Sequence, residues 1–220
     1  LGWGYDWLHS NSVYFDDINN EIYFSNRHIS RVAKISFPDG NVQWMMGLPE
    51  EYMFNGDSHI CNDVLFSFQH DVKLLPNGNI LIYDNGNLSP VLFDIDAPKS
   101  RILELEVDND NSCNLVWEYE LPQELTAIGM GSTQLLENGN IQITSGNQCG
   151  TILEINRSGD ILWQVKLGLE DCQNSLYKAF RAGSIYPNTY STIIENYSFI
   201  DDDQIPVSYT HLTLPTIVGV

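Results

Sequence analysis

One unit recurs three times in this chain: an Asn-Gly-Asn-Ile type of turn and strand, then an Ile-x-Glu-Ile-like strand led by a small or basic residue, then a strand closed by tryptophan. The clearest copies are NGNILIYDNGN (77–87) with SRILELEVD (100–108) and LVWEYEL (115–121), and NGNIQITSGN (138–147) with GTILEIN (150–156) and DILWQVKL (160–167). A looser copy precedes them as NNEIYFSNRH (19–28), SRVAKIS (30–36) and NVQWMMG (41–47). Repeats of about 40–50 residues made of short strands are propeller blades, because a four-stranded sheet with two apolar faces buries them only against neighbouring sheets. The expected fold is therefore all-β, a partial β-propeller of three to four blades. Three blades cannot close a ring.

The strand pattern supports this blade by blade. Val13 and Phe15, a turn at 16–20, then Ile22 and Phe24 on one face with Tyr23 on the other read as a hairpin. Asn77-Gly78 and Asn138-Gly139 lie between apolar runs and tolerate the positive φ of a tight turn. Trp44, Trp117 and Trp163 are expected to pack between blades. Residues 48–68 and 88–99 break the period and read as insertions, which collect at the loop face where ligands bind. The acidic stretch 108–112 lacks the glycine and distal glutamate of a calcium loop and reads as a plain hairpin turn.

After Tyr186-Pro187 the pattern fades, with STIIENYSFI (191–200) as a last strand candidate. The propeller domain is placed at 1–200. The tail, 201–220, includes VSYTHLTLPT (207–216), fits no blade, and is expected to be disordered or a sequence artefact, so His211 carries no functional weight. The chain begins in mid-pattern at Leu1 and reads as a fragment of a longer protein.

A formal charge of −19 argues against nucleic acid or anionic lipid as partners and gives each arginine added interest as a local anion site. No run of about 18 apolar residues is present, so no membrane span is expected. Cys61, Cys113, Cys149 and Cys172 lack zinc-ligand spacing; disulfides in an oxidising compartment and free buried thiols remain the two alternatives. No metal site and no organic cofactor are implied.

His9 in DWLHSNSVY (6–14) and His70 in FSFQHDVKLLPNGN (66–79) enter successive blades at places that look equivalent. The innermost strand of each blade lines the central channel, so the two imidazoles are expected at one channel mouth. Arg27 and His28 follow the second strand of the first unit, where Asp84 and Asn85 stand in the second. Arg31 and Arg101 lead third strands, a recurrence that also fits structural ion pairs, and Arg181 in YKAFRAGSIYP (177–187) is a candidate clamp for a sulfate or phosphate edge.

Taken in order, DWLHSNSVY with SNRH, QHDVKLLPNGNILIYDNGN, SRILELEVD with VWEYELP, and YKAFRAGSIYP resemble the bacterial aryl-sulfate sulfotransferase family, from about Asp6 to Pro187. The resemblance implies a six-bladed ring, periplasmic or secreted. It implies transfer of a sulfuryl group from a phenolic sulfate ester to an acceptor phenol through a sulfohistidine, without a nucleotide donor. An imidazole nitrogen is a neutral nucleophile near pH 7, and arginines with a second histidine would balance charge on the sulfuryl oxygens and protonate the leaving phenolate. The catalytic roles then fall on His9, His70, Arg27 and Arg181, with Asn11, His28, Asp84, Asn85 and Arg101 as substrate-binding neighbours. Which histidine attacks stays open, since the next repeat, IGMGSTQLLENGN (128–140), carries none. The alternative is a non-catalytic secreted propeller that binds a protein or glycan; a quinoprotein-type dehydrogenase propeller, the third reading, lacks any residue pattern for a quinone or calcium.

Overall fold

The computed structural model describes residues 6–48, 59–147, 150–167 and 175–182. All of these except Ala182 fall in one compact unit, Leu1–Arg181. The strand candidate 191–200, the tail 201–220, Cys149 and Cys172 lie outside the described residues.

Among the described residues twelve strands form three four-stranded antiparallel sheets, each in sequence order. The first holds β1 (Ser10–Asp16), β2 (Glu21–Asn26), β3 (Arg31–Ser36) and β4 (Val42–Gly47). The second holds β5 (His70–Leu74), β6 (Ile80–Asp84), β7 (Arg101–Val107) and β8 (Cys113–Glu120), and the third β9 (Ser132–Leu135), β10 (Ile141–Ser145), β11 (Thr151–Ile155) and β12 (Ile161–Lys166). These are the propeller blades expected from the repeats. The first strand of each blade neighbours the next, with β1 beside β5 and β5 beside β9.

Burial on both faces follows from the sequence of β6. Ile80 and Ile82 face the first blade, in a core with Tyr23, Trp44 and Met46. Leu81 and Tyr83, one residue out of phase, face the third blade with Ile141, Ile143 and Leu153. Period-two alternation thus gives two hydrophobic seams from one strand, each fully buried side chain contributing about 1.5–3 kcal/mol. A glycine sets the second seam's spacing. Gly131 has φ +112°, and a Cβ there would fall 2.6 Å from the Tyr83 ring.

The Asn-Gly-Asn turns do more than reverse the chain. Asn77 and Asn79 both donate to Oε1 of Glu104 on β7, and Asn138 and Asn140 both donate to Oε1 of Glu154 on β11. The second oxygen of each glutamate takes an arginine from the following repeat, Arg157 on Glu104 and Arg181 on Glu154. Each arginine also lies over the closing tryptophan of the blade it reaches back to, Arg157 over Trp117 and Arg181 over Trp163. The amides hold Glu154 down at about 2, with Arg181 adding to them.

Both insertions are anchored. A disulfide joins Cys61, in the 48–68 insertion, to Cys113 at the start of β8. The 88–99 insertion carries a short helix, α1 (Ser89–Phe93), which the sequence reading treated as loop. Residues 108–112 form the expected turn, closed by Asp108 N–H to Ser112 O. Among the described residues no helix is long and apolar enough to cross a membrane.

Candidate active site

His70 opens β5 and is buried. Its tautomer follows from its neighbours. The Asn85 amide nitrogen donates to Ala127 O at 2.7 Å and Met130 O at 2.8 Å, which turns Asn85 Oδ1 toward the ring. His70 Nδ1 therefore carries a proton and donates it to that oxygen at 2.7 Å. On the other side the Met130 N–H donates to Nε2 at 3.2 Å, so Nε2 holds the lone pair. Burial pushes the imidazole down to about 4, opposed by the Asn85 bond and reinforced by the charges of Arg27 and His9. At neutral pH His70 is thus an uncharged imidazole whose Nε2 electron pair accepts the Met130 N–H.

The first blade supplies the cationic and exposed groups. Arg27 and His28 stand in the turn after β2, and their backbone amides donate to the carbonyls of His9 and Leu8. The His9 and His28 rings lie 4.6 Å apart. Asp6 accepts from the His9 backbone at 3.0 Å and pairs with its Nδ1, leaving Nε2 of His9 open, and it accepts His28 Nδ1 at its own carbonyl at 2.5 Å. The His9 bond holds the Asp6 carboxyl below the usual carboxylate range. Arg27 lies over the Phe68 ring at 4.8 Å and donates to Ile128 O at 2.9 Å, in the same 127–130 turn that caps His70. Asn11 donates to Gln69 O, next to His70, at 2.7 Å.

His9, Asn11, Arg27, His28, His70 and Asn85 therefore gather where the first two blades meet the 127–130 turn of the third. Blade positions of the two histidines differ from the sequence expectation. His70 stands ten residues before Ile80 and faces Tyr83 across the ladder, whereas His9 stands thirteen before the equivalent Ile22, ahead of the first β1 pair, Ser10 and Asn26. Both entry strands carry a bulge, at Ser10/Ser12 and at His70/Lys73, with positive φ at His9 and Asp71.

Three expected site residues are committed elsewhere. Asp84 is fully buried; it accepts Ser67 and Gly86 N–H on one oxygen and Arg101 Nε and Nη2 on the other. Arg101 in addition binds Glu118 at 2.8 Å and Leu65 O at 2.8 Å. Burial raises the Asp84 carboxyl despite Arg101, while Asp84 more than offsets the desolvation of Arg101 and raises it. This pair knits β6, β7 and β8 together and leaves no oxygen for a ligand, in place of the substrate-binding role expected. Arg181 repeats the Arg157 clamp one blade on, spending Nη1 on Glu154 and its guanidinium face on Trp163, instead of lying beside the histidines. Its twin at Arg157 was the sequence signal for that role.

Sequence reasoning missed Asp6, Asp71 and the Met130 amide. Asp6 lies one helical-turn spacing before His9, and Asp71 is the third letter of Gln-His-Asp; the amide has no side-chain signature at all.

Comparison with known proteins decides the family. The arylsulfotransferase (ASST) family profile matches residues 2–158. The chain belongs to the arylsulfotransferase family. A search of the curated proteins finds no match. Among solved structures, the arylsulfotransferase chain resembles virginiamycin B lyase from Staphylococcus aureus, with 20% identity, a TM-score of 0.43, and coverage of 74% of this chain and 42% of that one. A protein of unknown function from Bacteroides caccae matches with 19% identity and a TM-score of 0.46 over 73% of this chain and 47% of that one. The Dos1 propeller matches with 11% identity and a TM-score of 0.41 over 76% and 37%. The chain spans less than half the length of each of these structures.

Proposed function

We propose that this arylsulfotransferase-family chain carries the sulfuryl-transfer centre of a ping-pong enzyme in which His70 is the nucleophile. The observation that carries the reading is the fixed neutral tautomer of His70, with its lone pair on Nε2 and Arg27 within electrostatic reach. As the Met130 N–H gives up its bond to Nε2, that nitrogen attacks the sulfur of a phenolic sulfate ester, and the bond from sulfur to the aryl oxygen breaks. The departing phenolate takes a proton from the imidazolium of His9, which Asp6 orients through Nδ1. Positive charge that reaches the His70 ring is stabilised at Nδ1 by Asn85 Oδ1. Arg27 meets the sulfuryl oxygens, whose charge it matches without a nucleotide or a metal. In the second half, His9 takes the proton of an acceptor phenol, the phenol oxygen attacks sulfur, and the N–S bond breaks to restore His70.

A periplasmic or secreted site of action accompanies this reading. The Cys61–Cys113 disulfide supports it, since such bonds persist in oxidising compartments.

The test is transfer from 4-nitrophenyl sulfate to phenol by the full-length parent protein, with peptide mapping after donor alone. A sulfuryl adduct on the peptide containing His70, absent in His70→Ala along with turnover, is the expected result. Undiminished turnover in His70→Ala removes His70 as nucleophile. Phenol binding without any transfer favours the non-catalytic propeller.

A further inference from the structure

Beside His70 the chain holds a charge imbalance that the transfer reaction does not use. Asp71 is buried, and both its oxygens are engaged: Lys178 binds Oδ1 at 2.6 Å, Lys73 binds Oδ2 at 2.8 Å, and Thr133 N–H adds to Oδ2 at 2.6 Å. Two ammonium groups on one carboxylate leave one positive charge over. The other described lysine and arginine ion pairs lack this surplus. Lys34 with Glu21, Lys99 with Glu120, Arg157 with Glu104 and Arg181 with Glu154 are one to one, and Arg101 has two carboxylates. In a chain of formal charge −19, a surplus cation held in place by a buried carboxylate marks a site for an anion.

The surplus lies in a cleft. Asn11, Tyr14, Asp71, Lys73, Tyr177 and Lys178 line a cavity of about 380 Å³, within the size range of small-molecule pockets. That volume holds a single substituted ring with room to spare. Tyr177 connects the cleft to the transfer centre: its ring stands edge-on to His70 at 6.3 Å between centroids, and its hydroxyl donates to Asn11 O at 3.1 Å. Asn11 spends its Nδ2 on Gln69 O and, among the described residues, its buried Oδ1 has no partner, a spare acceptor beside the lining. Aromatic surface, a spare acceptor and a fixed positive charge together fit a phenol with an acid group on the ring.

We propose that this cleft is the aryl subsite of the transfer centre and that it selects phenols bearing a second anionic group, such as a carboxylate, through the Lys73–Asp71–Lys178 triad. The proposal rests on the sulfuryl-transfer reading for what happens next to the bound ring, but binding in the cleft is measurable without transfer.

Two measurements on the full-length parent protein test it. The first is the ratio of kcat/KM for 4-hydroxybenzoate over phenol as acceptors of sulfate from 4-nitrophenyl sulfate, in wild type, Lys178→Gln and Lys178→Arg. The second is calorimetric titration of the same two ligands in the absence of donor. A ratio above one that falls about tenfold in Lys178→Gln, the size expected for losing one charge-assisted contact, and recovers in Lys178→Arg supports the subsite. Transfer with no preference for the acid, or a preference that survives Lys178→Gln, overturns it. If no transfer occurs with either phenol, the sulfuryl-transfer reading fails while titration still decides the cleft. Tighter binding of 4-hydroxybenzoate than phenol, weakened in Lys178→Gln, then supports it, and equal or absent binding overturns it.

Discussion

The Met130 amide donates to Nε2 of His70 at 3.2 Å across 60 residues of sequence, so a turn of the third blade holds the reactive nitrogen of the second. Together with the Asn85 contact at Nδ1, this fixes one proton on a ring that burial keeps uncharged down to about 4.

The pH dependence follows. Transfer limited by attack from His70 should keep its rate from pH 7 to about pH 5 and lose it along an acid limb near 4. Asn85→Asp places a carboxylate at Nδ1, which favours imidazolium and moves that limb upward. Stability carries the same signature: the folded value, about 4, is below the ordinary 6.5, so the unfolded chain binds the extra proton between them. Stability therefore drops as pH falls from about 6.5 to about 4, by roughly 3 kcal/mol in all, and urea titrations of His70→Gln should show that slope removed.

Arg27 and Arg181 separate by their effects. Arg27→Ala should lower kcat by about a hundredfold, the scale of losing one donor to transition-state charge. Arg181→Ala frees Glu154 and uncovers Trp163, and should cost about 1 kcal/mol of stability with kcat within about twofold of wild type. Steady-state kinetics beside thermal melts of the two variants check both.

The repeat, the hairpin positions and the order of strands followed from the sequence because the second and third blades share the Asn-Gly-Asn turn and the alternation around Ile80–Tyr83 and Ile141–Thr144. His9 comes to lie near Arg27 because β1 begins and β2 ends at the same end of the antiparallel sheet. What the residues alone did not separate was Arg101 and Arg181 from Arg27. All three are arginines at strand ends, and only the partner across the blade, Asp84 or Glu154 against a backbone carbonyl, distinguishes a clamp from a group with a free face. The Lys178 contribution was hidden for a related reason: it meets Asp71 from 107 residues away, a separation no local pattern reports.

Removing one partner of the buried Asp84–Arg101 pair should be costly. Arg101→Met leaves the fully buried Asp84 carboxylate with only two backbone donors, and a loss of about 3–5 kcal/mol is expected. Asp84→Leu in the same chain should recover part of it, which urea unfolding of single and double variants would reveal.

Glycine substitutions should grade by contact. Gly78 has φ +89° and no atom within 4 Å of a built Cβ, so Gly78→Ala carries the backbone penalty alone, about 1 kcal/mol. Gly86 has φ +67° and a Cβ there would lie 1.8 Å from Lys99 O, so Gly86→Ala should unfold the helix-bearing insertion or the blade. Melting temperatures that rank the two equally would contradict the packing described at Lys99.

Reduction should matter as well. The Cys61–Cys113 bond closes a separation of 52 residues, for which chain entropy gives about 4 kcal/mol. Cys61→Ser with Cys113→Ser should lower the urea midpoint accordingly, and dithiothreitol should shift wild type toward the variant.

The contact of Gly131 with the Tyr83 ring has a wider consequence. It makes the thickness of an aromatic ring the ruler between two blades, and the Met130 amide is read off that ruler one residue before it. The reach from amide to imidazole is therefore set by the packing of one blade on the next.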